Sequence, residues 1–143
     1  MKILNELKMI IDSKSVNESF SRVAVSAFAA CLDPTVEELT DIRTAVSEAV
    51  TNCIVHGYKQ SLGKIYITVS ICENNLVKIK IRDKGCGIED IRQAMTPLFT
   101  TAGGERAGLG FAVMESFTDK VRVTSAPGKG TTVTLYKHIG GKD

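Results

Sequence analysis

Three polar residues stand at helical spacing in SEAVTNCIVHGY, Ser47–Tyr58: Glu48, Asn52 and His56. A spacing of four puts them in one slanting row on a helix surface. Around them Val46, Ala49, Val50, Cys53 and Ile54 are what a buried helix uses. Asn52 offers a neutral oxygen suited to a Mg²⁺ that keeps several waters and is otherwise held by phosphates. Glu48, one turn earlier, can take a proton from a nucleophile held at a γ-phosphate. His56 falls near the helix C-terminus, where a histidine is favourable in any case.

A second constellation is DKGCG, Asp83–Gly87. The strand pattern before it turns Val77, Ile79 and Ile81 inward, and Asp83 takes the next inward position. A carboxylate there needs a donor to offset its burial. Either Asp83 starts a turn, for which Asp-Lys-Gly is well suited, or it accepts a hydrogen bond from a ligand amine. Gly85 and Gly87 would then let a planar ligand approach the backbone. A third constellation is ERAGLG, Glu105–Gly110, directly before a helical pattern that starts at Leu109. Free amides and a positive dipole end make a helix N-terminus a phosphate site, and Arg106 adds a fork-shaped cation. A flexible loop into a helix would look the same. GKGTT, Gly128–Thr132, lies between two strand patterns and reads as a hairpin turn, not a P-loop.

These groups need a scaffold, and the periodicities supply one. LNELKMIID alternates as a strand, with Leu7, Met9 and Ile11 on one side. NESFSRVAVSAFAACL reads as a helix with Phe20, Val23, Ala24, Ala27, Phe28 and Cys31 on one face, and Glu18 and Arg22 off it. After the break at Leu32–Pro34, a second helix runs from about Val36 to His56, with Leu39, Ile42, Val46, Ala49 and Cys53 inward and Gly57 ending it. KIYITVSIC and LVKIKIRD form a hairpin around ENN. A short helix IEDIRQAM, a long loop TPLFTTAGGERAG, the helix LGFAVMESF and a strand pair around APGKG complete the chain. The order predicts an α+β fold of two layers: a mixed, mainly antiparallel sheet with helices on one face.

Composition narrows the function. A chain of 143 residues is one domain, 1–143, and 43% hydrophobic residues suffice for a core. A net charge of +2 with no dense Lys/Arg run argues against nucleic acid. No apolar stretch is long enough to span a bilayer, and charges interrupt the N-terminal segment where a secretory leader needs an apolar core. Cys31, Cys53, Cys72 and Cys86 have no CxxC spacing, which argues against zinc. The first three read as small core residues, and the reading is of a cytoplasmic protein with reduced thiols.

Taken in order, Glu-x-x-x-Asn on a helix, Asp-x-Gly-x-Gly after a strand, Gly-x-Gly at a helix and Gly-Thr on a late strand resemble the Bergerat-type ATP-binding fold shared by gyrase, Hsp90, histidine kinases and MutL. NESFSRVAVSAF, LDPTVEELTDIRTAVSEAVTNCIVHGY, PLFTT, GLGFAVMESF and GKGTTV are similar to the anti-sigma factor serine kinases of spore-forming bacteria, from about Asn17 to His138. The resemblance implies Glu48 as base and Asn52 as the Mg²⁺ residue. It implies Asp83 at the adenine amino group with Gly85 and Gly87 beside the base. Gly108, Leu109 and Gly110 would wrap the phosphates, Arg106 would lie near the γ-phosphate, and Thr101 and Thr131 would complete the ATP site. Pro97–Arg106 would be the lid. ATP or ADP with Mg²⁺ are the implied cofactors. The implied partners are a sigma factor of the sigma-F type and an anti-anti-sigma protein phosphorylated on serine. Glu18 and Arg22 are expected to dock a partner, because the polar side of their helix is otherwise Ser and Ala and admits close approach. A homodimer through the N-terminal strand is implied as well. The same resemblance leaves room for a nucleotide-gated binder without transfer, and for the general-stress member of the family. A histidine-kinase domain is disfavoured, since neither His56 nor His138 lies on a dimerisation helix.

Overall fold

A computed structural model describes residues 1–91, 95 and 104–140, with the backbone alone at 104–108. The elements are β1 (Ile3–Asp12), α1 (Ser15–Ala29), α2 (Val36–Asn52), β2 (Lys64–Cys72), β3 (Leu76–Asp83), α3 (Gly104–Phe117), β4 (Lys120–Ala126) and β5 (Gly130–His138). Of the expected helix IEDIRQAM, residues 88–91 and 95 are described: 88–90 are not helical, and the Met95 amide donates to the Ile91 carbonyl at 3.0 Å, one helical turn back. Most of the expected lid falls outside the described residues. Among these residues no helix is long and apolar enough to cross a membrane.

The strands lie in the order β1-β2-β3-β5-β4, and every pairing is antiparallel. The parallel component expected of a mixed sheet has a simple fate. The crossover from β3 through α3 does bring β4 back in the same direction as β3. β5 then slots between the two and pairs antiparallel with both. Asn74 and Asn75 turn the β2–β3 hairpin at φ 63° and 57°, a conformation that Asn tolerates better than most residues.

Period-2 alternation sets the inner face of the sheet. Ile65, Ile67, Val69 and Ile71 from β2 point the same way as Val77, Ile79 and Ile81 from β3 and Val133 and Leu135 from β5. Over them lie Ile42, Ala45, Val46, Ala49 and Val50 of α2, with Phe111 and Met114 of α3. The centre of the core is therefore α2 on β2, β3 and β5. Burying one such side chain contributes about 1.5–3 kcal/mol.

The packing of α1 differs from its apolar periodicity. Its buried residues are Ser21, Val25, Ser26 and Ala29, while Phe20 and Val23 stay 57% and 54% exposed. Cys31 is also exposed, whereas Cys53 and Cys72 are buried as expected. The small side of α1 thus faces the protein and leaves little of itself for a partner. Small residues let two helices approach closely. The two serines enter at little cost because each hydroxyl donates to a carbonyl of its own helix, Ser21 to Glu18 at 2.7 Å and Ser26 to Val23 at 3.1 Å.

A capping box starts α2. Thr35 Oγ1 accepts from the Glu38 amide at 3.0 Å, and Glu38 Oε1 accepts from the Thr35 amide at 2.9 Å. Its other oxygen accepts from the Gly140 amide at 2.9 Å, tying the helix start to the chain end. Thr35→Ala is expected to lower stability by about 1 kcal/mol, or the melting temperature by about 3 °C, in a thermal unfolding scan. No loss would mean that the box is not holding α2.

Candidate functional site

α2 does not run to His56 as a plain α-helix. After Asn52 it widens into one π-helical turn, Cys53–Gly57. The wider turn rotates His56 away from a straight continuation of the Glu48–Asn52 row and carries Gly57 down to the end of β3. There the backbones meet. The Cys86 amide donates to the Gly57 carbonyl at 2.9 Å, and a Cβ on Gly85 would overlap that carbonyl. A Cβ on Gly57 would lie 2.8 Å from Asp83 Oδ2. Gly87 has φ +77°, and a Cβ on it would overlap the Ala126 carbonyl. Contacts within the protein therefore already require these glycines, whatever a ligand adds.

Asp83 is 3% exposed and continues the inward row of β3, as its parity implies. It sits between Ile65 of β2 and Thr131 of β5. The Gly85 amide donates to its Oδ1 at 2.9 Å. Burial pushes the Asp83 carboxyl up from its ordinary range; the Gly85 amide, the Cys53 thiol and the Thr131 amide pull it partly back. Burial first, and the charge of Asp83 second, push the Cys53 thiol well up. Cys53 therefore stays protonated and can donate to Asp83.

Thr131 is fixed by a hydroxyl chain. Ser125 Oγ accepts from the Ile88 amide at 2.8 Å and donates to the Gly130 carbonyl at 2.9 Å. Its one proton is then committed, so the 2.8 Å contact with Thr131 Oγ1 has Thr131 as donor. Thr131 is left with acceptor capacity only.

These groups border a cavity of about 450 Å³ including its mouth, between α2, the sheet and Phe111. Asp83, Thr131, Asn52 and His56 supply its polar atoms; Ile88, Phe111, Val133 and Cys53 supply apolar walls. A flat heterocycle carrying an amino group suits apolar walls with one buried acceptor. At the other side of the row, a Cβ on Gly110 would lie 3.2 Å from Asn52 Nδ2 and Oδ1 and from Glu48 Oε2. Glu48 and Asn52 thus converge on the same point of α3. Both side-chain amide atoms of Asn52 are buried and have no hydrogen-bond partner among the described residues. An orphaned amide oxygen is costly unless a ligand completes it.

Of the expected site residues, Glu48, Asn52 and Gly110 form one group, and Asp83, Gly87 and Thr131 another with Asn52 between them. Gly85 stands behind Asp83 rather than in the cavity wall. α3 departs from expectation. It begins at Gly104, so the Gly108, Leu109 and Gly110 backbone lies inside the helix rather than before it. Glu105, Arg106 and Ala107 are good helix formers and offset the ~1 kcal/mol that each interior glycine costs. The free amides are then those of the first turn, at 104–107. The Arg106 side chain and all of Thr101 fall outside the described residues. Glu18 and Arg22 form an i,i+4 ion pair at 3.1 Å on α1, away from the cavity. Cys53, Gly57, Ser125 and Phe111 are site residues that spacing alone did not single out. Gly57 read only as a helix stop, and Ser125 only as a strand residue.

Known proteins resemble this chain in sequence and in fold. The family model of the histidine kinase-like ATPase domain matches residues 14–137. A protein named anti-sigma F factor in Thermoanaerobacter sp. (strain X514) is 55% identical over 141 residues, covering 98% of both chains. Another of that name in Bacillus subtilis (strain 168) is 51% identical over 137 residues, covering 94% of this chain and 93% of its own. Among solved structures, the crystal structure of the RsbU and RsbW domains of a Mycobacterium tuberculosis protein superposes with a TM-score of 0.70. It is 21% identical and covers 94% of this chain and 32% of that one. At that identity the likeness is one of fold.

The raised carboxyl of Asp83 has a pH signature. Its folded pKa lies above its unfolded value, so the folded state takes up a proton between the two. Through Asp83, stability should rise as pH falls through its folded pKa towards 3.8. The gain of wild type over Asp83→Asn should therefore grow as pH is lowered from 7 to 4, in urea unfolding at matched ionic strength. A gap independent of pH would show that Asp83 is not held in its strained, ionised form.

Proposed function

Because the chain belongs to the anti-sigma F factors of the histidine kinase-like ATPase family, we propose that it holds a sporulation sigma factor inactive and, with ATP and Mg²⁺, phosphorylates a serine of an anti-anti-sigma protein. The observation that carries the catalytic half is the pairing of Glu48 with an orphaned Asn52 amide at one point of α3. A pure nucleotide binder has no use for a carboxylate there.

In this reading the adenine amino group donates to Asp83, whose charged form is opposed by burial and partly supported by the Gly85 amide and the Cys53 thiol. The base lies between Ile88, Phe111 and Val133. Asn52 Oδ1 would hold Mg²⁺. Among the described residues no cluster of three or more His, Cys, Asp or Glu could bind a metal, which suits an ion held chiefly by phosphates and water. When bound, that ion neutralises charge on the phosphate oxygens. The first-turn amides of α3 would take the phosphates, as a helix N-terminus does, and Arg106 is the cation assigned to the γ-phosphate in this reading. The acceptor serine oxygen attacks the γ-phosphorus, the bond to the β,γ-bridging oxygen breaks, ADP leaves, and Glu48 takes the serine proton.

The partner surfaces follow from what the fold leaves uncovered. Ile3, Leu4 and Ile10 on the edge strand β1, and Val16, Phe20 and Val23 on α1, are large exposed apolar residues. They are the surface that a second copy would cover in the homodimer. Arg22, held by Glu18, is the sigma-docking residue of this reading, and cytoplasm is its setting. A γ-phosphate near α3 would alter which partner is preferred.

The test is transfer of labelled γ-phosphate from ATP and Mg²⁺ to a purified anti-anti-sigma protein. Glu48→Gln is expected to bind ATP as wild type does and to lose about 10²–10⁴ in transfer rate. Asn52→Ala is expected to weaken ATP binding in Mg²⁺ but to change it little in EDTA. Binding of ATP without any transfer by wild type would leave a nucleotide-gated sigma binder instead. Loss of binding in Glu48→Gln would remove Glu48 from the role of base.

A further inference from the structure

The row that ends in Glu48 and Asn52 begins earlier on α2. At a spacing of four it runs back through Thr44 to Thr40, and Arg43 and Ser47 lie beside it. These residues, with Arg22 on the facing side of α1, line a second cleft of about 590 Å³ whose far end is Glu48 itself. The cleft is polar and holds two arginines, three hydroxyls and that single carboxylate.

The two arginines are not equivalent. Arg22 already bonds Glu18 at 3.1 Å and has a further contact to Ser19. Arg43 donates only its Nε, at 2.9 Å, to Oγ of Ser26, which is 1% exposed. It forms no ion pair, and its two terminal amines have no partner among the described residues. A buried hydroxyl therefore holds the stem of the guanidinium and leaves its fork open. An arginine fixed in this way is prepared to take a carboxylate in bidentate fashion.

Resting on the kinase reading above, we propose that this cleft receives the acceptor protein's segment around its target serine, and that Arg43 selects an acidic residue in that segment. Geometry places that residue. From Arg43 to Glu48 is five helical residues, or about 7.5 Å along α2. With the roughly 140° turn between the two positions added, an extended chain covers the span in about three residues. An Asp or Glu about three positions from the acceptor serine would thus meet Arg43 while the serine hydroxyl meets Glu48. The hydroxyls of Thr44 and Ser47 lie between, at the level of the intervening backbone. Arg43 is a specificity-determining residue here and takes no part in the chemical step.

The experiment measures steady-state transfer from ATP and Mg²⁺ to the anti-anti-sigma protein by wild type, Arg43→Gln and Arg43→Lys. ATP binding and binding of the sigma factor are measured alongside. Arg43→Gln should raise the KM for the acceptor by about tenfold, with kcat and ATP affinity nearly unchanged. Arg43→Lys, which keeps the charge and loses the fork, should fall between. Neutralising the acidic residues within three positions of the acceptor serine should raise KM for wild type and add little for Arg43→Gln. Equal KM values for all three proteins would overturn the proposal while leaving the kinase reading intact. So would an Arg43→Gln defect confined to sigma-factor binding, which would make the cleft a sigma site. Absence of transfer by wild type would instead remove the kinase reading on which the proposal rests.

Discussion

The close approach of Gly57 to Gly85 is the constraint on which the rest of the site depends. The end of α2 must touch the end of β3 with no side chain between them, so that the Cys86 amide reaches the Gly57 carbonyl at 2.9 Å. Tyr58, the next residue, locks the junction from outside: its hydroxyl accepts from the Lys84 amide at 2.7 Å. The contact places Asp83 beneath Gly57 with room for nothing larger than hydrogen on that side. It also forces the last turn of α2 to widen, because a regular α-helix would bring a different residue to the β3 end. The π turn, the buried carboxylate and the floor of the cavity meet at this one backbone contact.

That arrangement stores a cost that the fold bears elsewhere. Asp83 is a carboxyl whose burial disfavours its charged form, and Asn52 has two amide atoms without partners among the described residues. Neither helps the protein fold. Both are tolerated because α2 is anchored by the capping box at its start and along one face by Ile42, Ala45, Val46, Ala49 and Val50, which are fully buried or nearly so. One helix therefore has a buried face that stabilises the fold and a polar row, Glu48 and Asn52, that does not.

Much of this was legible from residue order. β2 and β3 begin and end at the residues that alternation marks, and the inward parity that led to Asp83 is the feature the site is built on. Less was legible where two physical solutions share one pattern. On α1 an apolar stripe and a small stripe both repeat at helical spacing. Burial went to the small one because close packing on α2 favours Ser21, Ser26 and Ala29, and because the serine hydroxyls satisfy themselves locally. At α3 the glycines at 108 and 110 looked like a boundary, yet the good helix formers before them carried the helix back to Gly104. Gly57 and Ser125 were silent for another reason. One acts by lacking a side chain and the other by accepting two hydrogen bonds, and neither act leaves a spacing signature.

The role of Cys53 follows from the same electrostatics. A thiol beside a buried carboxylate resists ionisation, since a second negative charge there would be desolvated and repelled. It therefore remains a donor to a higher pH than an ordinary thiol does. Alanine at this position would keep the volume roughly filled but remove that donor, leaving Asp83 to the Gly85 and Thr131 amides alone. The carboxyl would then move further up, and its hold on a ligand amine would weaken at a higher pH than it does now. A residue that composition marks only as a small core cysteine thus helps set the pH at which the Asp83 carboxyl changes charge.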